Sequence, residues 1–286
     1  MPAERSDSNA ARPDRVARGR TRRAPRFAIA ALALALACVA GNLRVPIATG
    51  RGFALGAYCD SCPDPVLNTF GVEFRNGDLW TMSYDGTLTR MSGCTPVQVL
   101  SVQGFRGVAS GLGWDSKRDE FIVTDAKLEE VAAIDMRGNV VREFPAPGTG
   151  SIGAAYDPTR DSYWITDFET DSLYELDPLT GERRTVFYLP RHTRVAGAAY
   201  DPSLDAILYQ IRVLDTKAFA ISCATGAIVD SFPIPYTGLN GWEDNTMGPN
   251  GTFWAHDYEY QTTYCLVRHM TPVLRNSWGA LKQRFR

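Results

Sequence analysis

Gly153-Ala154-Ala155-Tyr156-Asp157-Pro158 decides the reading of this chain, because the phrase returns on both sides of itself. It stands upstream as Gly111-Leu112-Gly113-Trp114-Asp115 and downstream as Gly197-Ala198-Ala199-Tyr200-Asp201-Pro202, a period of about 43 residues. Each copy runs into an apolar or aromatic stretch, Phe121 to Asp125, Tyr163 to Asp167 and Ala206 to Arg212. A second strand-like run follows and ends in a turn such as Asp177-Pro178-Leu179-Thr180-Gly181. Alternating runs such as Leu173-Tyr174-Glu175-Leu176-Asp177 predict short strands, and the Asp-Pro and Thr-Gly turns break any helix. One such sheet cannot bury its apolar faces alone, so several must stack and close into a ring that protects their edges. The predicted fold class is all-β, a β-propeller of four-stranded blades.

Two weaker copies flank the three clear ones. Gly71 to Trp80 aligns if the first turn shrinks to Asn76-Gly77, a favoured two-residue hairpin, and Gly248 to Asp257 has the same shortened form. Trp80, Ile122, Trp164, Tyr209 and Trp254 then fall in register, which predicts five blades over 68–275, with six as the alternative count and 276–286 as a tail. The last blade is short of an outer strand, and the segment 45–67 is expected to supply it through Phe53 to Tyr58.

The first 44 residues read as an address. A basic stretch to Arg26 is followed by an unbroken apolar run, Phe27 to Ala40, and by small residues, the order of an export signal. Retention as a signal anchor and lipidation at Cys38 are the membrane-bound alternatives. Setting aside the leader's nine arginines and three acids leaves 21 basic and 29 acidic residues, a formal charge of −8. Such a body repels phosphate backbones, which argues against nucleic-acid partners. Periplasm, cell surface or medium is the expected location. Past the leader come Cys59, Cys62, Cys94, Cys223 and Cys265, an odd number. Cys59-Asp60-Ser61-Cys62 lacks the βαβ context of a redox motif, so a staple is expected, Cys59 with Cys62 or one of them with Cys94.

Tyr163-Trp164-Ile165-Thr166-Asp167 with Leu173 to Asp177 resembles the repeat of YWTD-type and NHL-type propellers. Gly248 to Trp254 resembles the repeat phrase of virginiamycin B lyase, and Glu73 with Leu79-Trp80 is loosely similar to the opening of the senescence marker protein/gluconolactonase family. Rings of this kind host lactonases, lyases, glutaminyl cyclases and binding proteins, so the resemblance implies a fold and leaves the function open. In metal-dependent members, carboxylates from several blades converge on a divalent cation. The residues leading into each inner strand here are small or apolar in three blades, and only Glu243, Asp244 and Asn245, with Asn68 beside them, offer oxygens. A cofactor is therefore not expected; Ca²⁺ or Mg²⁺ on Glu243, Asp244 and Asn68 is the weak alternative.

Departures from the repeat mark where function was added. The largest is the expanded loop Tyr236 to Asn245, with Trp242 beside two acids; His256 replaces the threonine of Thr124 and Thr166, and Arg212 stands where other copies carry Asp. Trp242, Glu243, Asp244, Asn245, His256 and Arg212 form the candidate ligand surface. The leading expectation is an exported binding module for an extracytoplasmic protein, peptide or glycan. The alternative is a metal-assisted lactonase, lyase or glutaminyl-cyclase-like enzyme with Glu243 or Asp244 as metal ligand or general base and His256 as acid or base. The mature chain should begin between Ala37 and Arg44. Amino-terminal sequencing of protein recovered from its source checks this, and a soluble cytoplasmic protein with intact Met1 would refute it.

Overall fold

In the computed structural model of the chain, residues 58–105, 107–189, 194–211, 217–234 and 241–266 are described, all within the compact unit Ala54–Arg286. The leader, Arg212, His192 and His269 lie outside them. Five four-stranded antiparallel sheets make the fold, a five-bladed β-propeller. Blade one is β2 (Thr69–Arg75), β3 (Asp78–Ser83), β4 (Thr87–Ser92) and β5 (Thr95–Ser101); blade two is β6 (Ala109–Asp115), β7 (Glu120–Asp125), β8 (Glu130–Ile134) and β9 (Val140–Pro145). Blade three is β10 (Ser151–Asp157), β11 (Ser162–Asp167), β12 (Ser172–Leu176) and β13 (Arg183–Tyr188). Blade four is β14 (Val195–Asp201), β15 (Ala206–Ile211), β16 (Lys217–Ser222) and β17 (Ile228–Pro233). Blade five joins β18 (Trp242–Met247), β19 (Phe253–Asp257) and β20 (Thr262–Leu266) to β1 (Tyr58–Pro63), which pairs with β20 and closes the ring. The closing strand thus lies further along the chain than Phe53 to Tyr58, and its pairing is Tyr58 with Leu266 through Pro63 with Thr262.

Apolar side chains bury themselves between blades, one cluster per seam. Trp80 meets Phe121 across the first seam with ring centroids 4.9 Å apart, and Ile122 joins Tyr163 and Ile165 in the second. Trp164 joins Tyr209 in the third, Leu208 joins Phe253 in the fourth, and Trp254 joins Leu79 in the last. Tyr209 is therefore out of register with Trp80, Ile122, Trp164 and Trp254, and Leu208 holds that place. The hairpin turns of blades three and four are equally long, so Leu208 pairs with Ala199 as Trp164 pairs with Ala155; blade four differs in carrying its bulge one pair later, at Gly197 with φ +64°, where Ala196 pairs with Gln210 and then Ala199 with Leu208. The same pairing puts Ile211, not Arg212, opposite Val195, where Asp167 stands opposite Ser151.

At the ends where the inner strands finish, a second device joins blades. Arg118 binds Asp115 of its own turn and Asp161 of blade three, and Arg160 repeats this with Asp157 and Asp205. Arg75 reaches Asp119 in the same sense. The Arg118 guanidinium holds Asp161 well below the usual carboxylate range. Each pair is partly exposed, so about 1 kcal/mol or less attaches to it, and the value of the set lies in fixing the angle between blades. Cys62 and Cys94 form a disulfide from β1 to the β4–β5 turn, Cys265 is also disulfide-bonded, and Cys223 is a buried free thiol.

The inner strands approach so closely that glycine is required. A Cβ on Gly111 would stand 2.1 Å from the Ile152 carbonyl oxygen of blade three. Gly111→Ala should therefore lower stability by about 3 kcal/mol, because backbone must move apart to admit one methyl. Chemical denaturation checks this, and an unchanged midpoint would contradict the packing.

Candidate functional site

Each inner strand starts with a bulge. In blades one, two, three and five the skipped residue is Phe70, Ser110, Ile152 and Glu243 respectively. Asp244 consequently occupies the place of Gly71, Gly111 and Gly153. It stands opposite His256, where Thr124 and Thr166 stand in their blades. Glu243, Asp244 and Asn245 thus lie within β18 rather than leading into it. All three, with His256, are 0% exposed.

The reason is the inner edge of the ring. A blade's first strand pairs on one side only and turns its free N–H groups toward the axis. Asp244 Oδ2 accepts two of them, Val72 N–H at 2.9 Å and Leu112 N–H at 3.0 Å, and so ties blade five to blades one and two. Glu73 sits where Gly113 and Ala155 stand in their blades. Its Oε1 accepts Phe74 N–H at 2.7 Å and the Thr246 hydroxyl at 2.6 Å. Ser110 donates to Ser151 O, Thr124 to Ile152 O and Thr166 to Gly197 O, each linking a blade to the next. Asn245 donates to Gln210 of blade four, which occupies the strand place of His256. His256 Nε2 lies 2.9 Å from Asp64 Oδ2 in the chain just past β1, so it fastens the closure.

Burial raises both channel acids. Glu73, half-buried on β2, is pushed up to about 8 by the protein around it, against the pull of its Thr246 and Phe74 hydrogen bonds. Asp244 is pushed well above the ordinary value, again by burial. Elsewhere, Asp157, Asp205 and Cys223 lie close enough to hold a metal. Arg160 already supplies the positive charge to both carboxylates, and burial pushes the Cys223 thiol up to about 12.

The remaining candidates are scattered. Trp242, 2% exposed, is core and meets the Tyr264 ring edge-on. Asn68 is exposed at φ +61°, with its N–H on Gln261. Arg212 lies outside the described residues.

On the face where the inner strands begin, sequence reasoning missed an aromatic group. Phe70 lies between Tyr84, at 5.6 Å, and Tyr258, at 4.7 Å between centroids. Leu67 and Tyr260, 80% and 63% exposed, belong to turns at the same end of the same seam, as do the exposed acids Asp85 and Glu259. The available signal was a comparison across repeats: the residue after the second strand is Tyr84, Phe168 and Tyr258 in blades one, three and five and Ala126 in blade two, and only the pairing of blades five and one at the closure sets two of these rings around a third, Phe70.

No family model and no curated protein sequence matches the chain. Among solved structures, a glutaminyl cyclase from Myxococcus xanthus superposes with a TM-score of 0.60 at 14% identity, over 73% of this chain and 94% of that one. Virginiamycin B lyase from Staphylococcus aureus gives 0.48 at 17%, over 71% and 67%, and the WD40 propeller domain of Doa1 gives 0.49 at 12%, over 70% and 63%. At these identities the likeness is one of fold.

The raised Glu73 pKa has a sign that can be tested. Between its unfolded value near 4.5 and about 8, the unfolded chain has lost a proton that the folded chain keeps. Stability therefore falls as pH rises through that window. Glu73→Gln should remove the slope and add about 1 to 3 kcal/mol at pH 8. Denaturant titrations of both proteins from pH 5 to 8 check this, and parallel pH profiles would contradict it.

Proposed function

We propose that this chain is an exported binding module that takes an extracytoplasmic protein, peptide or glycan on the face where the inner strands begin, over the seam between blades five and one. The observation that carries this reading is the aromatic group Phe70, Tyr84 and Tyr258, flanked by exposed Leu67 and Tyr260. Clustered aromatic and apolar side chains on a polar surface mark an interaction site, and rigid rings lose little entropy when they stack on a sugar or a side chain. The buried polar groups behind it support binding over chemistry. Asp244 and Asn245 are held in bonds that join blades, and His256 in one to the chain just past β1; a catalytic role would require them to give those bonds up.

A second reading, a cyclase-like, lyase-like or lactonase-like enzyme, is favoured by the two channel acids with raised pKa values, since groups poised in this way can serve as general acids. Glu243 and His256 would act there as base and acid, and Ca²⁺ or Mg²⁺ would need Glu243 and Asp244.

Glycan and peptide arrays probed with the native protein and with Tyr84→Ala separate the readings. The binding reading expects hits that weaken at least tenfold in Tyr84→Ala while the thermal midpoint stays within about 2 °C. Hits indifferent to the change would refute it. Ammonia release from peptides with amino-terminal glutamine, abolished by Glu243→Gln, would put the enzyme first.

A further inference from the structure

The aromatic group at the closure seam continues onto the next seam of the same face. Tyr84 and Asp85 belong to the turn that ends at Gly86, and Phe105, on the connection from blade one to blade two, lies against that turn: a Cβ on Gly86 would stand 2.7 Å from the Phe105 ring. Phe105 and Leu128 line a pocket of about 250 Å³ together with Ala132, Asp125, Glu130 and Glu143. Glu130 stands opposite Asp125, and Glu143 opposite Ala132, so all four share one face of blade two. Asp125 is buried and spends Oδ1 on the N–H groups of Val108, Lys127 and Leu128. Half-buried Glu130 and exposed Glu143 have no ion-pair partner among the described residues.

Resting on the binding role proposed above, we infer that the partner is an arginine-bearing peptide laid from the closure-seam rings to this pocket. Acidic and aromatic side chains adjoin along the whole of that path, and its bordering turns carry Asp85, Glu129 and Glu259 against Lys127 among the described residues. The Ser83 hydroxyl, at 2.6 Å, holds the Asp85 carboxyl below the ordinary aspartate value, so it is charged at neutral pH. The Ser83 and Thr87 contacts both fall on its Oδ1, which leaves Oδ2 for another donor. A guanidinium is planar, so it stacks on a ring face while its edge donates to a carboxylate. A neutral glycan would use the rings and gain little from the carboxylates, and an acidic peptide would be repelled. The pocket is too small for a whole ligand of drug size and suits one long side chain.

The test is calorimetric titration of the full chain with a synthetic peptide alternating glycine and arginine, and with its lysine and glutamine counterparts. The arginine peptide should bind about fivefold more tightly than the lysine peptide, and the glutamine peptide should give no measurable heat. Tyr84→Ala and Glu130→Gln should each weaken the arginine peptide about tenfold at an unchanged thermal midpoint. Glu182→Gln, in the turn between β12 and β13 at the opposite end, should leave it unchanged. Equal loss in all three variants, or equal affinity for the lysine peptide, would reduce the binding to general charge attraction and overturn the inference. Tyr84-dependent binding of a neutral glycan or peptide, with no preference for arginine, would overturn it and leave the binding role intact. Absence of Tyr84-dependent binding by any of these ligands would remove both.

Discussion

Five unpaired strand edges meet around one axis in this protein, and the groups that satisfy them decide both its stability and where chemistry has room to occur. The Asp244 carboxyl is the hub of that arrangement: from blade five it accepts N–H groups of blades one and two. Removing such a partner leaves two buried donors without acceptors, at a cost of about 1 to 3 kcal/mol each. Glu73, Ser110, Thr124, Thr166 and Asn245 extend the same principle around the ring. Polar residues that stand out from the repeat are thus not automatically residues that touch a ligand.

Much of the fold was legible because period and turn chemistry are local properties. The phrase at Gly111, Gly153 and Gly197 marks inner strands correctly, and Thr124, Thr166 and His256 do share a strand place. What failed was register in the fourth copy, where an aromatic residue, Tyr209, stands one place from the true match. Counted from the turns at Asp157 and Asp201, Leu208 matches Trp164 and Ile211 matches Asp167, which leaves Arg212 beyond the strand. The inner strands start before the place of the repeated glycine in every blade, so Glu243 to Asn245 belong to the strand itself, as do Ser110 and Ile152. Trp242 read as a ligand contact because aromatic residues serve cores and surfaces equally well, and only burial separates the two.

The interblade arginines were also visible in principle. Asp115-Ser116-Lys117-Arg118-Asp119 and Asp157-Pro158-Thr159-Arg160-Asp161 share a pattern whose meaning appears when one turn is set against the next. The pattern lapses at the fourth seam, where Leu204 takes the arginine's place and packs on the apolar cluster, and at the closing seam, where the ring relies on β1, the Cys62–Cys94 disulfide and the His256–Asp64 contact. The aromatic group of Phe70, Tyr84 and Tyr258 falls on that same closure seam.

Amide hydrogen exchange at Val72 and Leu112 tests the role given to Asp244 most directly. Both amides should be strongly protected in the native protein and should lose protection by at least a hundredfold in Asp244→Ala, while the amides of β12 in blade three keep theirs. Fast exchange at Val72 and Leu112 in the native protein, or undiminished protection in the variant, would show that the buried acid does not hold the blades together and is available for another task.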